Sequence, residues 1–128
     1  MRALLDTHTF LWWNMDDPKL SPRAREIITD GRNEIFLSAA SAWEIAIKAS
    51  KGRLTLPESP DHYVAKRMAY HHLAALPVSL SHALHVWNLP PIHPDPFDRL
   101  LVAQSQLEKI PLLTGDPEIG RYEVEVLW

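Results

Sequence analysis

The chain has 128 residues, 46% of them hydrophobic and 23% charged, with a formal net charge of -3. That is the composition of one globular unit with one core, not of a disordered or fibrous chain, and the negative balance argues against a broad basic face for gripping nucleic acid. The absence of cysteine rules out disulfides and cysteine zinc sites and fits a reducing compartment.

The N-terminal stretch "MRALLDTHTFLWW" is interrupted by Asp6 and His8. Its apolar run is too short for a signal peptide or a membrane span, so a cytoplasmic location is expected. "RALLD" (2–6) reads as a buried strand ending in an acid, and "THTFLWWN" (7–14) as a helix that starts at once. After a break at "MDDPKL", a helix is predicted over 21–31, with Ser21 as N-cap, Pro22 at its first position and Gly31 as its stop. "EIFLS" (34–38) is a second strand, and "AASAWEIAIKASKG" (39–52) a helix again stopped by glycine. "SPDHYVAKRMAYHH" (59–72) is a further helix with Pro60 near its start. "LAALPVSL" holds a short strand or extended link, "SHALHVWNL" a short helix, and "PPIHPDP" a loop. "FDRLLVAQSQLEK" (97–109) is predicted helical, with Phe97, Leu100, Leu101 and Leu107 largely on one side. "IPLLTGD" (110–116) is an apolar strand ending in another acid, and "YEVEVLW" (122–128) alternates as a closing strand.

Short apolar strands alternating with helices predict an α/β fold, with a mainly parallel central sheet flanked by helices. Such sheets bind ligands beyond the carboxyl ends of their strands, where Asp6 and Asp116 fall. Asp6 alone reads equally as a helix cap, and Asp116, followed by proline, as the start of a turn. Glu44 is the only acid in a helix of small and apolar residues. It needs a partner there, either Lys48 one turn on or a bound cation. Around Pro96, Asp95 takes the N-cap and Asp98 the third helical position. Capping accounts for Asp95 and leaves Asp98 free to face a site. Gathered together, Asp6, Glu44, Asp98 and Asp116 would repel one another unless a cation compensated them. An all-oxygen ligand set favours Mg2+ or Mn2+, ions that serve phosphodiester hydrolysis.

At these residues the chain resembles the PIN-domain ribonucleases, in particular the VapC-like toxins of toxin–antitoxin pairs. The resemblance rests on "LLDTHTFLWW" (4–13), "LSAASAWEIAIK" (37–48), "GRLTLP" (52–57), "LPVSLSHALHVWNLPPIHPDPFDRLLVAQ" (76–104) and "PLLTGD" (111–116). It implies one PIN-like nuclease domain over 1–128, with the acidic tetrad of the family falling on Asp6, Glu44, Asp98 and Asp116. It also implies Mg2+- or Mn2+-dependent cleavage of RNA, homodimerisation, and inhibition by a small antitoxin protein. Asp6 and Asp98 are the expected direct metal ligands, with Glu44 and Asp116 completing the set. Thr7 and Thr114 are expected helpers, and Gly115 is expected to loosen the loop that carries Asp116.

Two other readings compete. His82 and His85 lie one helical turn apart and could ligate zinc in a hydrolase, though no third ligand or HExxH pattern accompanies them. Alternatively the acids are caps and ion pairs in a catalytically silent interaction module. Trp43, Trp87 and Trp128 are expected mostly in the core. One helix cannot bury all of Phe10, Leu11, Trp12 and Trp13 against a sheet, so a groove beside the 21–31 helix is the expected seat of an antitoxin helix. "KASKGR" (48–53) clusters three positive charges that either compensate the helix dipole or meet phosphate. Arg99 would pair with a neighbouring acid or contact substrate.

Overall fold

The computed structural model describes residues 1–128. Five strands form one sheet: β1 (Arg2–Leu5), β2 (Glu34–Ser38), β3 (Ala74–Leu76), β4 (Leu112–Leu113) and β5 (Val126–Leu127), in the order β3-β2-β1-β4-β5. Every neighbouring pair is parallel, so the expected mainly parallel sheet is parallel throughout. Six helices cover it: α1 (Thr7–Asn14), α2 (Pro22–Thr29), α3 (Ala39–Ser50), α4 (Pro60–His71), α5 (Leu80–His85) and α6 (Pro96–Glu108). None is long and apolar enough to cross a membrane.

The pleat divides the core in two. Ala3, Leu5, Ile35, Leu37, Leu113 and Leu127 point to one face and pack with Phe10, Ala24, Ile28, Ile45 and Val64 of the helices there. Leu4 and Leu112 point to the other face and meet Leu101, Val102 and Ala103 of α6 together with Ile119 and Tyr122. Burial on both faces is why the strands are apolar at successive positions instead of alternating with polar ones.

The helix starts follow local chemistry. Ser21 accepts the Ala24 N–H at 3.0 Å, with Pro22 at the first position of α2, and Asp95 caps α6 ahead of Pro96. Gly52, at φ 69°, follows α3 as expected. Gly31 does not stop α2. That helix ends on Asp30 in extended backbone, whose carboxylate accepts the Arg32 backbone N–H and its guanidinium.

Three other expectations need correction. The buried face of α6 is Leu101, Val102, Ala103, Gln104 and Ser105, while Leu107 is exposed, because one turn after another the sheet-facing positions fall on 101, 104 and 105. The two C-terminal strands are shorter than predicted. Residues 119–121 form a 3-10 turn, and the alternation over 122–125 reflects Tyr122 and Val124 packing toward α6, not ladder pairing. Trp43 and Trp87 are not core residues: they are 62% and 91% exposed. A six-residue α5 followed by a 3-10 turn over Val86–Asn88 swings Trp87 outward.

The strand order places the site. From β1 the chain steps outward to β2 and β3, then returns to the other side of β1 for β4 and β5. The connections leave β1 and β4 in opposite directions, and the carboxyl ends of these two strands flank the resulting crevice.

Candidate active site

Asp6 follows β1 directly and is 4% exposed. Its Oδ1 accepts the Thr9 N–H at 2.7 Å, which starts α1, and its Oδ2 accepts the hydroxyl of Thr114 from the end of β4. The capping and site readings of Asp6 are therefore compatible. Burial pushes its carboxyl above the usual range, against the hydrogen bonds from Thr114 and Thr9.

Glu44 is 2% exposed on α3. Thr7 donates to its Oε1 at 2.7 Å, and Lys48 Nζ reaches its Oε2 at 2.5 Å. The i,i+4 pair with Lys48 is thus formed, half-buried, and oriented by a threonine next to Asp6. Thr7 also approaches the buried Ser41 hydroxyl at 2.9 Å.

Asp98 occupies the first turn of α6, while Asp95 accepts the N–H groups of Phe97 and Asp98 at 2.8 and 3.2 Å. Asp95 thus caps α6 as expected, and the Asp98 carboxylate takes no part in the cap. The Asp98 carboxyl is pushed up to about 7, first by burial and then by the charges of Asp95, Asp6 and Glu44, with His93 opposing them. Asp116 sits two residues beyond Thr114. Its backbone N–H donates to the Thr114 hydroxyl at 3.1 Å, and its Oδ1 accepts the Glu118 N–H at 2.9 Å.

His93 joins the last two acids. Its Nε2 lies 2.9 Å from Asp116 Oδ2 and 3.2 Å from Asp98 Oδ2. Ligand atoms of His93, Asp98 and Asp116 all fall within 4.8 Å of one another. Burial would lower the pKa of the ring, but the hydrogen bond with Asp116 and the charges of Asp98, Asp116 and Asp95 raise it above the ordinary histidine range. His93 is not among the site residues expected from the sequence. It stood only as a loop residue, and its one signal was a position two residues before the cap of α6.

All four expected acids thus join one connected arrangement. Asp6 reaches Asp116 through Thr114, Asp116 reaches Asp98 through His93, and Glu44 is held by Thr7 beside Asp6. Asp98 feels the charge of Asp6 and of Glu44 directly. Lys48 and the His93 ring are the basic groups in contact with three of the four carboxylates, Glu44, Asp98 and Asp116. A hard divalent ion with oxygen ligands fits this donor set, because it would compensate the buried charge of Asp6 and Asp98 and the carboxylate repulsion that adds to burial at Asp98.

The other expected residues lie elsewhere. His82 closes the capping box of α5 and pairs with Glu108 at 3.0 Å, and His85 meets Gln106 at 2.7 Å, so the two rings serve separate local contacts. Arg99 pairs with no acid. It donates to the carbonyls of Pro90 and Val86 and to the Tyr122 hydroxyl, pinning the 86–93 loop to α6. Gly115 serves close approach and not freedom, since a Cβ there would stand 2.7 Å from the Trp128 ring. Trp12 and Trp13 diverge. Trp12 stacks on His8 and lines a depression between α1 and α3 with Leu11, Ile45, Lys48 and Arg53, while Trp13 packs on His71 of α4. The depression beside Trp12 therefore faces α3, while a second one, lined by Trp13 with Ile28, Thr29 and Tyr70, lies beside the end of the 21–31 helix, where a groove was expected.

The sequence profile of the PIN domain family matches residues 3–125. Ribonuclease VapC16 of Mycobacterium tuberculosis (strain ATCC 25618 / H37Rv) is 48% identical over 61 residues, a stretch that spans 48% of this chain and 43% of that protein's length. Among solved structures, VapBC2 from Rickettsia felis bound to a DNA fragment from their promoter superposes with a TM-score of 0.73 at 15% identity, over 99% of this chain and 98% of that one. FitAcB from Neisseria gonorrhoeae gives a TM-score of 0.66 at 17% identity, over 98% and 96% of the two chains. At these identities the likenesses establish the fold.

Proposed function

The chain belongs to the PIN domain family, and from that premise we propose that it is a divalent-metal-dependent endoribonuclease, the toxin of a toxin–antitoxin pair. Residues 1–128 act as one nuclease domain in this reading, in the cytoplasm, with RNA as substrate and Mg2+ or Mn2+ as cofactor. The observation that carries it is the convergence of Asp6, Glu44, Asp98 and Asp116 at the crevice between β1 and β4. The curated ribonuclease it resembles supports the choice of RNA.

Asp6 and Asp98 are the direct ligands, and Glu44 and Asp116 complete the set. When bound, the metal supplies an activated water and neutralises charge developing on the phosphodiester oxygens. The chain's own part is orientation. Thr9 and Thr114 fix both oxygens of Asp6, Thr7 and Lys48 fix both oxygens of Glu44, and the cap at Asp95 directs Asp98 inward. Lys48 and Arg53 rim the neighbouring depression, where they meet the RNA backbone. An amphipathic antitoxin helix docks in the same depression against Trp12 and Leu11. A second copy of the chain covers the exposed apolar residues of α5, giving a homodimer.

In the deciding experiment, Asp6→Asn and Asp98→Asn each abolish cleavage of single-stranded RNA in Mg2+ while both variants stay folded. EDTA stops the wild-type reaction, and Mg2+ or Mn2+ restores it. Cleavage at the wild-type rate by either variant would remove that residue from the ligand set, and by both would favour a silent interaction module.

A further inference from the structure

His93 is held at four points. Its backbone N–H donates to the Tyr122 hydroxyl at 2.8 Å, its Nδ1 accepts the Asp95 N–H at 3.1 Å, and its Nε2 meets Asp116 and Asp98. Tyr122 is buried, and Arg99 donates to the same hydroxyl at 3.2 Å. The ring is therefore fixed in position by groups outside the acidic cluster.

Those contacts decide where the ring proton sits. A backbone N–H aimed at Nδ1 requires a lone pair there, so the neutral ring carries its proton on Nε2, and a charged ring carries one there too. In either state Nε2 faces the two carboxylates as a donor and has no lone pair to give a cation. Ligation through Nε2 would move the proton to Nδ1, where it would confront the Asp95 N–H.

The two acids respond differently to such a donor. Asp116 lies in the turn after β4, and its Oδ1 is already engaged by the Glu118 N–H. Nothing but the contact of Oδ2 with His93 ties its carboxylate to α6. Asp98 is fixed by its helix, and His93 touches only its Oδ2, which leaves Oδ1 for a cation. We propose that His93 is a positioning residue that donates Nε2–H to Asp98 and Asp116 together, holds Asp116 within the acidic cluster, and is not itself a metal ligand. This rests on the metal-nuclease reading above and adds to it the part that recruits the fourth carboxylate. Partners that orient metal ligands in this way govern affinity from one contact further out.

The test uses the full chain and Mn2+ alone, without RNA. His93→Leu should weaken Mn2+ binding by about tenfold or more, read from the spectrum of the free ion during titration. His93→Gln, which returns an N–H near the place of Nε2, should bind close to wild type. Pulsed electron paramagnetic resonance of the wild-type complex should lack the coupling of a directly bonded nitrogen. A directly bonded nitrogen that disappears in His93→Leu would overturn the proposal by making His93 a ligand. Equal Mn2+ affinity in His93→Leu would overturn it by leaving the ring a loop support, with the nuclease reading intact. If the wild-type protein binds no Mn2+, both readings fall. Should His93→Leu fail to fold, nitrogen-15 histidine spectra of the metal-free wild type decide: a proton on Nε2 is expected, and a bare Nε2 overturns the proposal.

Discussion

Asp98 and its neighbours give the metal-free protein an unusual response to pH. The Asp98 carboxyl sits at about 7 in the fold against an ordinary value of 3.8, so the native state holds its proton more tightly than the unfolded chain. Stability is then lost as pH rises from about 4 through 7. Asp6 shifts in the same sense. The ring of His93, raised above 6.5, contributes stability that is present below 6.5 and lost as pH rises through its folded value. All three favour the acid side, so in EDTA the protein should melt at a higher temperature near pH 5.5 than near pH 8. Asp98→Asn should flatten that slope and stabilise the metal-free protein at pH 8 by on the order of 1–3 kcal/mol. Thermal melts across pH in EDTA check this, and an equal slope in the variant would mean that Asp98 is not the titrating group. Asp98 could be found in the sequence because capping left it without a local task, and Glu44 because it was the one acid among apolar neighbours. His93 could not, because its partner Asp116 is 23 residues away and the loop between prolines has no periodicity to read.

At the scale of elements, the start of α6 joins stability to the site. The Asp95 carboxylate accepts two helix N–H groups, so Asp95→Ala should cost about 0.5–2 kcal/mol in a chemical denaturation. The contact from Asp95 to His93 is made by the backbone N–H and survives the substitution. Mn2+ affinity should therefore change little, whereas Asp98→Ala should lose the stabilisation that added Mn2+ gives. If Asp95→Ala loses the Mn2+ effect and Asp98→Ala keeps it, the two roles are reversed. The helix starts were legible because caps are local chemistry: Ser21 with Pro22 and Asp95 with Pro96 each announce a first turn. The ends and the glycines were harder. Asp30 closes α2 through Arg32, two residues further on, and Gly115 is small because of Trp128 at the far end of the chain. Packing between distant segments, not local preference, keeps Gly115 small, whereas the Asp30 stop is a local ion pair that stands one residue before the glycine.

For the whole molecule, the sheet was readable as parallel from its apolar strands, but its order β3-β2-β1-β4-β5 was not, since order depends on which crossover each helix takes. The surface carries a related surprise. Leu80, Leu84 and Trp87 are 76%, 66% and 91% exposed on α5 and the turn after it, although large apolar side chains gain most from burial. Trp43 forms a second exposed site, edge-on to Phe97 at 5.4 Å. Clusters of this kind mark surfaces that meet a partner. In the homodimer we propose, α5 packs against its copy across a twofold axis, which brings each of the three residues near its symmetry mate. A stable contact needs about 800 Å² per partner, more than three side chains provide, so the interface must extend over neighbouring parts of α6 or α3. A charge placed at its centre would be buried without a counterion in both copies. Leu84→Glu and Trp87→Glu should each give a folded monomer at concentrations where light scattering finds the wild type dimeric. A monomeric wild type at high micromolar concentration would refute the dimer. A dimer that persists in both variants would place the interface elsewhere, with Trp43 and Phe97 the next surface to substitute.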